Sequence, residues 1–421
     1  MTTSLTARTD RGLVRAGRTS TRYVLLEATA PKRTKRRSEA RPPVNVAFVL
    51  DRSGSMAGTK LALAKHAVDR ALVGLDPKDR FAIVTYDDHI ETIVGSRLAT
   101  DANKRAARLA LQPVDARGST DLHGGWTRGA DAIREHLAAE GVNRVLLLTD
   151  GLANVGVIDP GTLAQVAKDL RASGIGTSTF GVGADFNEVL LTAIADAGGG
   201  HFYFIEHPQQ IADFITGELG ELLEVVARNV TIDVTHHPAL QLESLSPVAG
   251  TAAGPGVLKL GIGDLVAGQK VELVLRVRFP HADEGAQTTA FFTIADRDGT
   301  LKADGCTLTW EHASHAANDD QPRDRHVDRA VARIHAARAR LEAVRLNREG
   351  DFTAARRAVR GVARRIGAYA GDDPALMDLA GQLLAEEDAF YAPMPEMARK
   401  SMHFRSANLQ RSRDPQGKAQ R

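Results

Sequence analysis

VNVAFVLDRSGSM, residues 44–56, decides how the rest of the chain is read. Its opening, Val44–Leu50, is nearly continuously apolar, the pattern of a strand buried on both faces of a parallel sheet. Asp51, Ser53 and Ser55 follow at alternate positions in a short polar loop. Such a loop can turn three oxygen-bearing side chains towards one point, while Gly54 lets the backbone bend. Carboxylates and hydroxyls are hard ligands that suit Mg²⁺ best, with Mn²⁺ or Ca²⁺ as alternatives. A centre rich in hydroxyls leaves such an ion undercharged, so that it attracts a carboxylate from outside.

Downstream of this loop the pattern alternates. Leu61, Ala64, Val68, Ala71, Leu72 and Leu75 recur at helical spacing, and Phe81–Tyr86 reads as a strand with a short one, Glu91–Val94, beside it. Lys104–Leu111, Trp126–Ala139, Pro160–Ala172 and Pro208–Ala227 read as helices. Arg144–Thr149, Thr177–Val182 and His201–Ile205 read as strands. Asp185 and Glu188 have capping-box spacing. Strands alternating with helices predict an α/β domain over residues 44–228, a doubly wound parallel sheet. Ligands in such sheets sit at the carboxyl ends of the strands, which points to the loops after Leu50, Leu111 and Thr149.

From Asn229 the period changes to two. Val230–Thr235, Val257–Leu260, Lys270–Phe279, Thr288–Ile294 and Cys306–Trp310 predict an antiparallel, β-sandwich-like domain over residues 229–312. Residues 1–43 read as an N-terminal arm and basic linker. The first twenty or so look mobile. Residues 23–30 form a strand that could join the β domain, which would make the α/β domain an insertion. PKRTKRRSEARPP, Pro31–Pro43, reads as a solvated basic linker. His312–Pro322 is a polar linker, residues 323–392 a C-terminal helical segment of three short helices turning at NREGD, and residues 393–421 a disordered basic tail.

A net charge of +2 over 421 residues argues against a polycation. One cysteine, Cys306, excludes an internal disulfide and a cysteine metal framework. No stretch reads as a signal peptide, and none approaches the ~20 apolar residues of a membrane span. A cytoplasmic location is expected.

Two further loops complete the oxygen set: GSTDL, which contains Thr120, and TDG, which contains Asp150. With DRSGS at Asp51, the chain here resembles the von Willebrand factor A family and its metal-ion-dependent adhesion site, whose pattern is Asp-x-Ser-x-Ser, a distant Thr and a distant Asp. GVGADFNEVLL and AGGGHFYFI are also similar to bacterial members, and the resemblance covers Val44–Ala227. It implies a Rossmann-like fold. It also implies that Ser53 and Ser55 bind the ion directly, that Thr120 does so when a ligand is present, and that Asp51 and Asp150 act mainly through waters. The remaining position would go to an Asp or Glu carboxylate of a partner protein. By the same resemblance the partner could be an AAA-type ATPase or a signalling protein.

Around these five, Asp121 either adds charge or caps the next helix. His123 and Trp126 line the rim, or Trp126 is core. Asp87, Asp88 and His89 form a surface turn or a second metal site. The leading expectation is a metal-dependent protein-binding module and not an enzyme. One alternative is a metal-dependent hydrolase, against which stands the lack of a His or Glu base at recognisable spacing and of GxxxxGK or GxSxG. The other is a nucleic-acid-binding protein acting through the Arg-rich helices around Arg333–Arg365. Their basic residues alternate with apolar ones as on any solvated helix face, and aromatic residues are sparse.

Overall fold

In the computed structural model, which describes residues 3–32 and 41–421, the strands in chain order are β1 (Ser4–Thr9), β2 (Leu13–Arg15), β3 (Ser20–Thr29), β4 (Val44–Asp51), β5 (Arg80–Tyr86), β6 (Ile90–Leu98), β7 (Val142–Thr149), β8 (Gly176–Val182), β9 (Gly199–Ile205), β10 (Val225–His236), β11 (Gln241–Ser244), β12 (Ala249–Gly254), β13 (Val257–Val266), β14 (Lys270–Phe279), β15 (Gln287–Ala295) and β16 (Cys306–Ala313). The helices are α1 (Thr59–Val73), α2 (Asp101–Leu111), α3 (Leu122–Arg134), α4 (Pro160–Ala172), α5 (Glu188–Ala197), α6 (Ile211–Leu223), α7 (His315–Asp320), α8 (Arg325–Arg348), α9 (Phe352–Ala370), α10 (Pro374–Glu386) and α11 (Glu396–Gln410). They divide into two units.

The α/β unit is a six-stranded sheet in the order β6-β5-β4-β7-β8-β9. All pairs are parallel except the edge pair β5–β6. Every residue of β4 and β7 is buried, which accounts for their unbroken apolar runs. From β4 the chain goes to β5 on one side and later to β7 on the other. The strand order therefore reverses at β4, and its carboxyl end is the crevice of the fold. Register fixes what meets there: Leu50 pairs with Leu148, which brings Asp51 level with Thr149 and Asp150. Helix α3 lies close against these strands because it carries glycines. A Cβ on Gly125 would stand 2.4 Å from the Tyr86 ring, and one on Gly129 would stand 2.3 Å from Val49.

Residues 396–404 of α11 belong to this unit. Phe404 packs edge-on against Phe202, Phe204 and Phe214, and Lys400 is fully buried against Glu188. The expected disordered tail at 393–421 is thus corrected to a helix over Glu396–Gln410. Composition counts the charges of this segment but cannot see that Arg399 and Lys400 pair with buried Glu188 and with Glu396.

The other unit has a four-stranded sheet, β1-β3-β14-β11, and a six-stranded sheet, β12-β13-β10-β15-β16-β2. Between the sheets lies a core that includes Val24, Leu26, Ala28, Ile232, Leu275, Phe292 and Trp310. Leu25 points the other way, into a cluster with Val274 and with Val327, Val331 and Ile334 of α8. β3 is therefore buried on both faces, and it pairs along its whole length with β14. The first twenty residues, expected to be mobile, form β1 and β2. β1 is polar on its outer positions and pairs with nearby β3, whereas β2 is only three residues long and finds its partner, β16, far along the chain. Helices α8, α9 and α10 complete the unit, with Asp351 of NREGD capping α9. Most of the expected basic linker, residues 33–40, lies outside the described residues. At its end, Arg41 pairs with buried Asp79 in the α/β unit. No helix among the described residues is long and apolar enough to cross a membrane.

Candidate metal centre

Asp51 is the last residue of β4, and the loop it starts is clamped by backbone bonds. Arg52 N donates to Tyr86 O, Gly54 N to Gly118 O, and Arg117 N to Arg52 O. Gly118 has φ +67°, and a Cβ there would stand 2.0 Å from Asp88, so this position requires glycine. The Thr120 loop is tied in turn to the loop after β7: Thr120 N donates to Asn154 Oδ1 at 2.9 Å, and Thr120 O accepts from Asn154 N and Val155 N. Three loops, those after β4 and β7 and the one between α2 and α3, thereby hold one another.

Inside this frame the side chains converge. Asp51 Oδ1 accepts from Ser53 N at 2.8 Å, and Oδ2 accepts from Thr149 Oγ1 at 2.7 Å. Ser53 Oγ lies 3.1 Å from Ser55 Oγ, and Ser55 Oγ donates to Asp150 Oδ1 at 2.6 Å. A Cβ placed on Gly151 would be 3.6 Å from Ser55 Oγ and 3.8 Å from Thr120 Oγ1, so both hydroxyls border the same small space. Asp51, Ser53, Thr120 and Asp150 are buried, and Ser55 is exposed. The cluster therefore opens to solvent at Ser55. Burial pushes the Asp51 carboxyl up to about 6, against the bonds from Ser53 and Thr149, and the nearby Asp150 charge adds to the rise.

The donor set consists of oxygens only, two carboxylates and three hydroxyls, as a hard divalent ion requires. A stand-in cation is present as well. Lys60, in the first turn of α1, donates from Nζ to Asp150 Oδ2 at 2.5 Å and to Ser55 O at 3.2 Å. The residues fit a small cation on both counts. Nothing in the sequence pattern flags Lys60, because its reach depends on where α1 begins relative to Asp150.

The neighbouring candidates separate. Asp121 caps α3, accepting from Gly124 N at 2.9 Å. Trp126 is core, fully buried with Nε1 donating to Thr177 Oγ1, and His123 is half-buried. The ligand atoms of Asp87, Asp88 and His89 lie within 4.8 Å of one another, but buried Asp87 is already held by the guanidiniums of Arg52 and Arg117. Asn187, and not the expected Asp185, caps α5. A cluster that sequence reasoning missed lies near the amino ends of β8 and β9. There buried Glu218 accepts from Ser178 Oγ and Tyr203 OH and lies 3.0 Å from His201 Nδ1.

A family model described as the von Willebrand factor type A domain matches residues 45–217. The uncharacterised protein YfbK of Escherichia coli (strain K12) is 32% identical over 206 residues, covering 48% of this chain and 36% of that protein. The uncharacterised protein sll0103 of Synechocystis is 28% identical over 253 residues, covering 57% of this chain and 58% of that one. The chain thus spans less than two thirds of the length of these relatives. Two solved structures share the fold over nearly the whole chain. A von Willebrand factor type A protein from Catenulispora acidiphila has a TM-score of 0.70 at 20% identity, covering 96% of this chain and 89% of that one. The ArnB paralogue VWA2 from Sulfolobus acidocaldarius has a TM-score of 0.62 at 17% identity, covering 97% and 99%. The buried parallel sheet and the family match over the same residues lead to one conclusion: the α/β unit of this chain is a von Willebrand factor type A domain.

Proposed function

We propose that this domain is a metal-dependent protein-binding module in which Asp51, Ser53, Ser55, Thr120 and Asp150 hold a divalent ion, Mg²⁺ or, alternatively, Mn²⁺ or Ca²⁺. The observation that carries the reading is the convergence of five oxygen side chains at the crevice of the sheet, buried at Asp51 and Asp150 and open at Ser55. A bound ion would supply a positive centre to which an Asp or Glu carboxylate of a partner protein can attach. The chain's own residues do the rest. Asp51 and Asp150 provide charge, Ser53, Ser55 and Thr120 provide neutral oxygens, and the backbone clamps fix all of them before a partner arrives.

The surroundings support a macromolecular partner. Leu152 and Ile158, in the loop after Asp150, are each 54% exposed and lie within nine residues of it, as apolar contacts beside a polar anchor would. Among the described residues, the groups hydrogen-bonded to the five side chains include Thr149 and Lys60, and no histidine or glutamate is bonded to them. An AAA-type ATPase or a signalling protein is the class of partner that the resemblance suggests.

The test uses the immobilised chain to retain proteins in Mg²⁺. We expect release by EDTA, no retention by Asp51→Ala, and an affinity loss of about tenfold or more when the partner's Asp or Glu is replaced by Asn or Gln. Binding that survives both EDTA and every such replacement would overturn the reading.

A further inference from the structure

We propose that Lys60 is a built-in counter-cation that competes with the divalent ion for Asp150, so that this lysine sets how tightly the centre takes a metal. The inference rests on the reading of Asp51, Ser53, Ser55, Thr120 and Asp150 as a metal centre.

Asp150 is fully buried, and both of its oxygens are engaged. Oδ1 takes the Ser55 hydroxyl, and Oδ2 takes the Lys60 ammonium at 2.5 Å. The same ammonium reaches Ser55 O, so it touches two of the five residues and is linked through the Ser55 hydroxyl to a third, Ser53. Among the described residues, Lys60 is the cation bonded to this set. Asp51 receives the Ser53 N–H and the hydroxyls of Ser53 and Thr149, all of them neutral donors. The cluster therefore holds two carboxylates and one ammonium, which pairs with Asp150 and leaves Asp51 without a bonded cation.

A buried carboxylate needs a partner, and without a divalent ion Lys60 provides it. When an ion draws on Asp150, two cations stand within a few ångströms of one another. Even with water-like screening, repulsion between a double and a single charge at that range corresponds to about tenfold or more in affinity. The lysine can yield. Its side chain is 27% exposed, and it has a flexible stem with a strongly hydrated head. An arginine would grip Asp150 with a planar fork and yield less readily.

The experiment is calorimetric titration of Mn²⁺ and Mg²⁺ into the full chain as wild type, Lys60→Met and Lys60→Arg, with thermal melting of each in EDTA and in Mn²⁺. We expect Lys60→Met to bind Mn²⁺ about tenfold tighter than wild type. It should melt lower in EDTA and gain more from Mn²⁺, because its Asp150 lacks a cation until the ion arrives. Lys60→Arg should bind no tighter than wild type and reports whether the charge, and not the stem, is responsible. Metal binding by Lys60→Met alone would support the inference most strongly. If wild type binds Mn²⁺ and Lys60→Met binds it equally or more weakly, Lys60 is not a competitor and the centre itself stands. If no form binds either ion, the centre is misread and the inference falls with it.

Discussion

Glu188 and Asp150 are both buried carboxylates of the same α/β unit, and their surroundings are built on opposite principles. Glu188, the first residue of α5, accepts from Lys400 Nζ at 2.9 Å and from Arg399 Nε at 3.1 Å. Lys400 also donates to Phe186 O and lies 4.2 Å from the centre of the Phe186 ring. Burial opposes the Glu188 charge, yet Lys400 and Arg399 hold its carboxyl down at about 2. Asp150 has one ammonium and one hydroxyl, while Asp51 has no cation and is pushed up by burial to about 6. In the Glu188 cluster two cations, Arg399 and Lys400, meet two carboxylates, Glu188 and Glu396, so its charges balance. The Asp51–Asp150 cluster has two carboxylates and one bonded ammonium, so it is short of positive charge, which suits the ion site proposed above.

The largest effect follows from the balance at Glu188. Lys400→Met would leave Glu188 buried without its main partner, and we expect a loss of about 3–5 kcal/mol in the stability of the α/β unit. Lys60→Met removes a partly exposed contact and should cost about 1 kcal/mol in EDTA. Urea unfolding followed by tryptophan fluorescence separates the units, since buried Trp126 lies in the α/β unit and buried Trp310 in the other, and Trp310→Phe leaves Trp126 as sole reporter. Equal losses for the two lysine variants would erase the contrast between the clusters.

Much of this was legible in sequence, and the limits have physical causes. Val44–Leu50 and Arg144–Thr149 are apolar without interruption because both faces of their strands are covered, so the sheet and its crevice could be read directly. The DxSxS loop and Asp150 stood out because each directly follows a buried strand, and Thr120 because it sits just before the first turn of a helix. Lys60 did not, because a flexible side chain declares its target only in three dimensions. Lys400 hid for a related reason: a basic residue in a polar segment normally means solvent, and here its partner lies 212 positions away. β1 and β2 were read as a mobile arm because β1 is mostly polar, β2 is only three residues long, and the partner of β2 lies at the far end of the β unit in sequence.

A smaller effect concerns pH. The Glu188 carboxyl, held at about 2 in the folded chain against an ordinary 4.5, contributes stability that is fully present above 4.5. That contribution is lost as the pH falls from 4.5 towards 2. Glu188→Gln should be less stable than wild type at pH 7 and should lose less between pH 5 and pH 3, as read by Trp126 fluorescence in urea. Parallel pH profiles for the two proteins would show that the pair is not a charged latch.

The smallest structural effect is expected at Asp51. Asp51→Asn keeps an acceptor for Ser53 N, and its amide can donate to Thr149 Oγ1, whose proton can turn to Gly151 O. Stability in EDTA should therefore change by about 1 kcal/mol or less. This near-neutral change makes the substitution the cleanest probe of the centre. Calorimetric titration of Mn²⁺ into wild type and Asp51→Asn, with circular dichroism to verify the fold, should give one-site binding to the wild type and none detectable to the variant. Equal affinity of the two proteins for Mn²⁺ would contradict the assignment of the metal centre to the loop that begins at Asp51.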